Sequence, residues 1–117
     1  MLTLPPSVRI FLAVGATDLR KGFDSLAAVV REVLRQDPLT GHVFAFCNRR
    51  KTRVRLLVWD GSGMWLMTKR LEAGTFAWPR AEPGIVGVTL RSEELAMLLG
   101  GIHAQVVRRP RFERRPE

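Results

Sequence analysis

A chain of 117 residues, 46% of them apolar, has the length of one domain and enough greasy surface to build a core, which excludes wholesale disorder. Nineteen basic against eleven acidic residues leave a formal charge of +8, so an anionic partner, either nucleic acid or an acidic protein, becomes a working expectation. The single cysteine, Cys47, excludes an intramolecular disulfide and a cysteine-based zinc site and predicts a cytoplasmic setting, and the longest apolar runs fall far short of the ~20 residues that span a bilayer.

After Pro5-Pro6, residues 8–14 mix β-branched and aromatic side chains and stop at Gly15, the pattern of a short strand. From Phe23 the period changes. Phe23, Leu26, Ala27, Val30, Val33 and Leu34 follow the i, i+3, i+4, i+7 spacing of a helix with one apolar stripe, predicted over 23–35. Thr17 or Asp18 is placed to accept hydrogen bonds from its first free N–H groups, and Asp37-Pro38 ends it, because a residue before proline resists the αR region.

Residues 42–70 read as a three-stranded meander: runs at 42–48, 53–60 and 64–70, joined by a basic turn at 49–52 and by Asp60-Gly61-Ser62-Gly63, whose glycines suit a tight hairpin. Residues 74–79, with Phe76 and Trp78, read as an extended segment laid on the sheet. Pro83-Gly84 predicts a turn and 85–90 one more strand. Ser92 is placed to cap a second helix with Glu93 and Glu94 in its first turn, ended by Gly100-Gly101. The composition predicts a single α+β domain over 1–107 and a flexible arginine-rich tail over 108–117, which carries five Arg and two Pro.

The basic charge concentrates in the meander. Arg49, Arg50, Lys51, Arg53 and Arg55 follow one another without an acid between them. Alternation along a strand places Arg53 and Arg55 with Leu57 and Trp59 on one face, and Val54, Leu56 and Val58 on the other, the expected core side. If the next hairpin closes on Gly61-Ser62, Arg70 joins that face beside Arg53; a loop one residue longer sets Lys69 against Arg55 and Trp65 against Trp59. Either register gathers like charges, which repel by tenths of a kcal/mol per cross-strand pair unless a polyanion neutralises them. The pattern predicts a β-ribbon that binds DNA by phosphate contacts, with Trp59 or Trp65 available to stack on bases.

Catalytic patterns are weak. Asp60 with Glu72 could supply carboxylates to a divalent metal, but Asp60 sits where a turn favours Asp and Glu72 is placed to pair with Lys69 or Arg70. No Walker, HExxH or GxSxG string occurs. His42 and His103 lie far apart and have no neighbouring acid, and Cys47 reads as buried filler. The residues therefore predict no catalytic site, no metal and no cofactor.

A set of strings in fixed order carries a resemblance: Thr17-Asp18-Leu19-Arg20-Lys21-Gly22-Phe23-Asp24, Asp37-Pro38 with Gly41-His42, Phe44 and Phe46 before Asn48-Arg49-Arg50, Trp59-Asp60-Gly61 with Gly63, Lys69-Arg70-Leu71-Glu72, and Gly74 with Phe76 and Trp78-Pro79. Over about 10–102 the chain resembles the TnpB (Orf2-like) accessory proteins of bacterial transposable elements of the insertion-sequence sixty-six type. It departs from their pattern at Gly100 and His103-Ala104. The resemblance implies an accessory role in transposition beside a separate DDE-type transposase and a second small accessory protein.

These readings predict an α+β fold with a twisted, mostly antiparallel sheet of four to five strands, one main helix on a face and a short C-terminal helix near an edge. They predict a non-catalytic protein that binds DNA at the element's ends through Arg20, Lys21, Arg49, Arg50, Lys51, Arg53, Arg55, Lys69 and Arg70, with no membrane partner. The alternative expectation is an adaptor that binds the transposase without touching DNA.

Overall fold

A computed structural model of the chain describes residues 7–20 and 22–101. Lys21, His103 and the expected tail at 108–117 lie outside the described residues. The meander forms as its alternation predicts, with β2 at Val43–Cys47, β3 at Arg53–Trp59 and β4 at Met64–Arg70, each antiparallel to the next. β1, Ile10–Ala13, lies parallel to β2, and β5, Gly87–Leu90, lies antiparallel to β1, so the sheet order is β4-β3-β2-β1-β5. A parallel neighbour requires a crossover. Helix α1, Phe23–Glu32, supplies it between β1 and β2.

Both faces of the sheet are covered. Ile10, Leu12, Val43, Ala45, Cys47, Val54, Leu56 and Val58 form one core layer with Phe76, Trp78 and two residues of helix α2, Ser92–Gly100. Phe44, Phe46 and Leu57 form the other with Leu26, Ala27, Val30 and Leu34. Fully burying a side chain such as Leu26 or Val30 contributes roughly 1.5–3 kcal/mol. The extended segment lies on the first layer as expected, fixed where the Trp78 indole donates to the Ala13 carbonyl over 2.9 Å. α2 packs on this face through its buried pair Leu95 and Leu99, and its last turn reaches edge strand β4, where Lys69 donates to Leu99 O.

Several boundaries differ from expectation for local reasons. α1 starts without a side-chain cap at Gly22, since the Asp18 carboxylate is taken up by Arg20. It stops at Glu32 rather than 35. The chain unwinds there as Leu34 N–H reaches Val29 O, Gln36 N–H reaches Val30 O, and Arg35 adopts a left-handed φ of 57°. Val33, expected in the apolar stripe, is consequently exposed, and Phe23, at the start of the helix, is exposed too. α2 begins at Ser92 itself, with Arg91 as the preceding cap residue, whose N–H donates to the Glu94 carboxylate at 2.8 Å. β5 starts at Gly87, two residues later than expected, where a Cβ would stand 2.8 Å from Leu34 Cδ2 and 3.0 Å from Leu12 O, so only glycine lets α1's trailing segment approach the sheet this closely.

Candidate nucleic-acid interface

The register settles which basic residues meet. Trp59 pairs with Met64 and Arg53 with Arg70, the arrangement set by closure on Gly61-Ser62, with Gly61 at φ 100°. Arg53, Arg55, Thr68 and Arg70 therefore share the sheet face that carries α1. That face is not an open polar surface, as the strand pattern alone suggests: Leu57, two residues beyond Arg55, is completely buried in the α1 layer. The arginines occupy the end of the face beyond the helix.

Two loops wall this end. Between β1 and α1, Thr17 N–H donates to Cys47 O at 2.8 Å, which ties residues 16–20 to the end of β2. Asp18 then accepts from the Arg20 backbone N–H at 3.0 Å and from its guanidinium at 3.0 and 2.9 Å, and this bonding raises the Arg20 pKa above its ordinary value. The second wall is the turn from Asn48 to Thr52. Asn48 Oδ1 accepts from the Thr52 and Arg53 N–H groups at 2.9 and 3.0 Å, its Nδ2 donates to Thr52 Oγ1 at 3.1 Å, and the Lys51 carbonyl accepts from Phe76 N–H at 2.8 Å. The turn that presents Arg49 and Arg50 is thus braced at both ends.

Between the walls lies a cleft of about 990 Å³. Arg20, Arg49, Arg50, Arg53, Arg55 and Arg70 line it together with two carboxylates, Asp18 and Glu72. Each carboxylate already contacts an arginine: Asp18 lies 2.9 Å from Arg20, and Glu72 lies 3.3 Å from Arg70. Six guanidiniums against two paired acids leave an electropositive hollow suited to phosphate oxygens, which planar guanidinium forks bind bidentately.

Other expected contacts are not brought here. Lys69 pairs with Val54, so it lies on the opposite face, where its ammonium donates to Leu99 O at 2.7 Å. Trp65 shares that opposite face, and Trp59 stands at the far end of β3 from Arg53, so neither indole lines the cleft. Lys51 is in the turn, at φ 62°, but outside the cleft lining. The other weighed residues have local partners: Asp60 closes the β3–β4 turn, His42 Nδ1 accepts from Arg9 N–H at 2.9 Å, and Cys47 is buried. Burial pushes the Cys47 thiol up to about 11, against the opposing charge of Lys51. Among the described residues no three His, Cys, Asp or Glu side chains stand together as a metal site. No described helix is long and apolar enough to cross a membrane. Thr68, which the strand pattern does not single out, joins the lining because it stands opposite Arg55 in the β3–β4 ladder, and Thr17, read from sequence as a cap candidate, joins it through its N–H bond to Cys47 O.

The family model described as IS66 Orf2 like protein matches residues 8–109, a span that includes the whole cleft. The chain belongs to this family. It is similar to two proteins of Sinorhizobium fredii (strain NBRC 101917 / NGR234). The uncharacterized protein y4hO is 42% identical over 113 residues, covering 94% of this chain and 96% of y4hO, and the uncharacterized protein y4jC is 38% identical over 104 residues, covering 88% and 87%. No solved structure matches the chain. Membership in the IS66 Orf2-like family gives the protein a transposition-associated accessory role, in association with the element's transposase, and the family is not a known catalytic one.

Proposed function

We propose that this IS66 Orf2-like protein is a non-catalytic accessory factor that binds DNA at the ends of its element through the arginine cleft and thereby helps position the DDE-type transposase, alongside a second small accessory protein. The convergence of six arginines from the 16–20 loop, the 48–52 turn, β3 and β4 on one cleft carries this reading. Those guanidiniums come from segments far apart in the chain, and their mutual repulsion is a cost that a polyanion removes.

A gel-shift titration with terminal inverted-repeat DNA against scrambled DNA, with and without the transposase, tests contact and specificity together. Affinity falls by about 0.9 log units per phosphate contact for each log unit of salt if the cleft neutralises a duplex backbone. A combined variant, Arg49→Ala and Arg50→Ala with Lys51→Gly, removes the turn's charge while placing glycine at the left-handed position, so it isolates binding from folding. Retained affinity in that variant would refute the assignment. The adaptor reading draws on a different feature, Trp65, which is 58% exposed on the face opposite the cleft and suits contact with another protein. Capture of the transposase that Trp65→Ala abolishes, without any DNA shift, would favour it.

A further inference from the structure

We propose that the chain forms a twofold dimer in which β4 pairs antiparallel with β4 of a second copy, joining the two sheets edge to edge. The inference concerns assembly and holds whatever the arginine cleft binds. β4, Met64–Arg70, lies at one end of the sheet order, so it has a strand neighbour on one side alone. Native proteins blunt such an edge by keeping it short, by placing proline or a bulge in it, by lining it with charge or by covering it. β4 is 7 residues long, contains no proline and pairs one-to-one with β3 along its whole length. Its cations, Lys69 and Arg70, stand at one end. The other end is the apolar run Met64-Trp65-Leu66-Met67, with Trp65 exposed.

The ladder shows which backbone groups face outward. Leu71 N–H donates to Thr52 O at one end of the β3–β4 pair, and Asp60 N–H donates to Gly63 O at the other. Bonded and non-bonded residue pairs alternate in an antiparallel ladder. Trp65, Met67 and Lys69 therefore direct their N–H and C=O groups to β3, whereas Met64, Leu66, Thr68 and Arg70 direct theirs away from it. Among the described residues no other backbone group bonds to these outward donors and acceptors. A row of open backbone groups beside an apolar run is a template for another strand.

That strand is β4 itself, because its charge pattern is self-complementary. With the twofold axis at Met67, Met64 meets the partner's Arg70 and Leu66 meets the partner's Thr68, so all four outward residues of each copy form bonded pairs. Trp65 then stands beside the partner's Lys69, and Met67 beside the partner's Met67. No like charges are opposed. A shift of the axis to Leu66 or Thr68 strands one outward residue of each copy, and a shift to Lys69 sets that cation against itself. The opposite edge of the sheet is a poorer partner. Val14 N–H donates to Val86 O, so β5 turns only Gly87 and Thr89 outward, and a β4–β5 contact would run head to tail without closing. A twofold axis perpendicular to the sheet leaves each face on its own side. Both arginine clefts therefore open in the same direction, with the two Arg70 positions about 20 Å apart along the seam at ~3.4 Å per residue.

The test measures the mass of the nuclease-treated full-length protein by sedimentation at micromolar concentration, where the dimer is expected. Proline is tolerated on an edge strand where its missing N–H faces outward, so Thr68→Pro spares the β3 ladder while removing one donor per copy from the seam. It raises the dimer dissociation constant by at least about tenfold, with the urea midpoint showing that the fold is retained. Met67→Cys gives a second readout that does not depend on the proline variant folding. Directly opposed residues of a non-bonded pair lie about 4.5 Å apart at Cα, within disulfide range, so mild oxidation links this variant into a covalent dimer. Wild type, whose Cys47 is buried, stays unlinked. Trp65→Cys and Lys69→Cys cross-link when mixed but not alone. A monomeric wild type, or a dimer that neither Thr68→Pro weakens nor Met67→Cys captures, overturns the proposal and leaves the DNA reading untouched. A monomer whose capture of the transposase is lost in Thr68→Pro also overturns it and assigns the edge to that protein.

Discussion

Arg53 stands directly opposite Arg70 across the β3–β4 ladder, so two guanidiniums project from the same face at the mouth of the cleft. Arg70 leans on Glu72 at 3.3 Å, a pair too exposed to contribute much. Like charges directly opposite destabilise a sheet by tenths of a kcal/mol, and threonine is a better strand former than arginine. Arg53→Thr therefore raises folding stability by about 0.3–1 kcal/mol, read as a higher urea midpoint at unchanged slope, while DNA affinity falls severalfold. A variant that loses stability would show that the pairing serves the fold, and one that gains stability without losing affinity would show that Arg53 meets no ligand.

Lys69 is the converse case: a cation on the basic third strand whose partner is internal. Its ammonium donates to Leu99 O, one of the last carbonyls of α2, at 2.7 Å. A cation there satisfies an otherwise open acceptor and opposes the negative end of the helix dipole. Lys69→Met keeps the aliphatic stem and removes the donor, so it destabilises the protein by about 1 kcal/mol. Because Lys69 faces away from the cleft, DNA affinity stays within twofold of the wild type. The pair of measurements separates a helix cap from a phosphate contact, since a phosphate contact would give the reverse result.

Lys69 and Arg70 also show how far the sequence could be read. The meander was legible because its apolar residues alternate between two turns of unmistakable composition, and the extended segment because Phe76 and Trp78 had to be covered. The layering was not. Leu57 has the same strand parity as Arg53 and Arg55, and that parity alone cannot say whether a face is wet along its whole length or roofed by a helix over part of it. The roof depends on where the crossover puts α1, which is a tertiary fact. Likewise Arg20 could be suspected from its charge, but nothing local says that Thr17 N–H bonds to Cys47 O and so swings the 16–20 loop against the 48–52 turn. The side taken by Lys69 is open from the sequence as well. Once the hairpin register is fixed its side is determined, but the sequence admitted two registers.

Asp60 offers a titration that reports on the hairpin's closed end. Its carboxylate accepts from the Ser62 and Gly63 N–H groups, each at 2.9 Å, and from the Trp65 indole at 2.8 Å, and these bonds lower its pKa from 3.8 to about 2. A carboxyl depressed in the folded state stabilises fully above 3.8, and that contribution is lost as pH falls from 3.8 through about 2. Urea midpoints measured across this window fall more steeply with acid for the wild type than for Asp60→Asn, which cannot titrate. Identical slopes would mean that the carboxylate is not held as described. The same variant loosens the indole, so the emission of Trp65 shifts relative to the wild type at neutral pH.

Cys47 titrates in the opposite sense. It is completely buried at the end of β2, and burial pushes its thiol from 9.0 to about 11. An acid whose pKa is raised on folding stabilises fully below its unfolded value, and the contribution is lost as pH climbs from about 9 through about 11, because the unfolded chain releases the proton first. The informative quantity is the difference between wild type and Cys47→Ala, a variant that costs about 1 kcal/mol in lost packing at neutral pH but shows a shallower decline above pH 9. Direct labelling gives a second readout. A thiol reagent at pH 8 modifies the urea-unfolded protein rapidly and the native protein only as fast as β2 opens, since the neutral, enclosed thiol offers no nucleophile. Rapid labelling of the native state would place Cys47 near the surface, and with it the end of β2 to which the 16–20 wall of the cleft is tied.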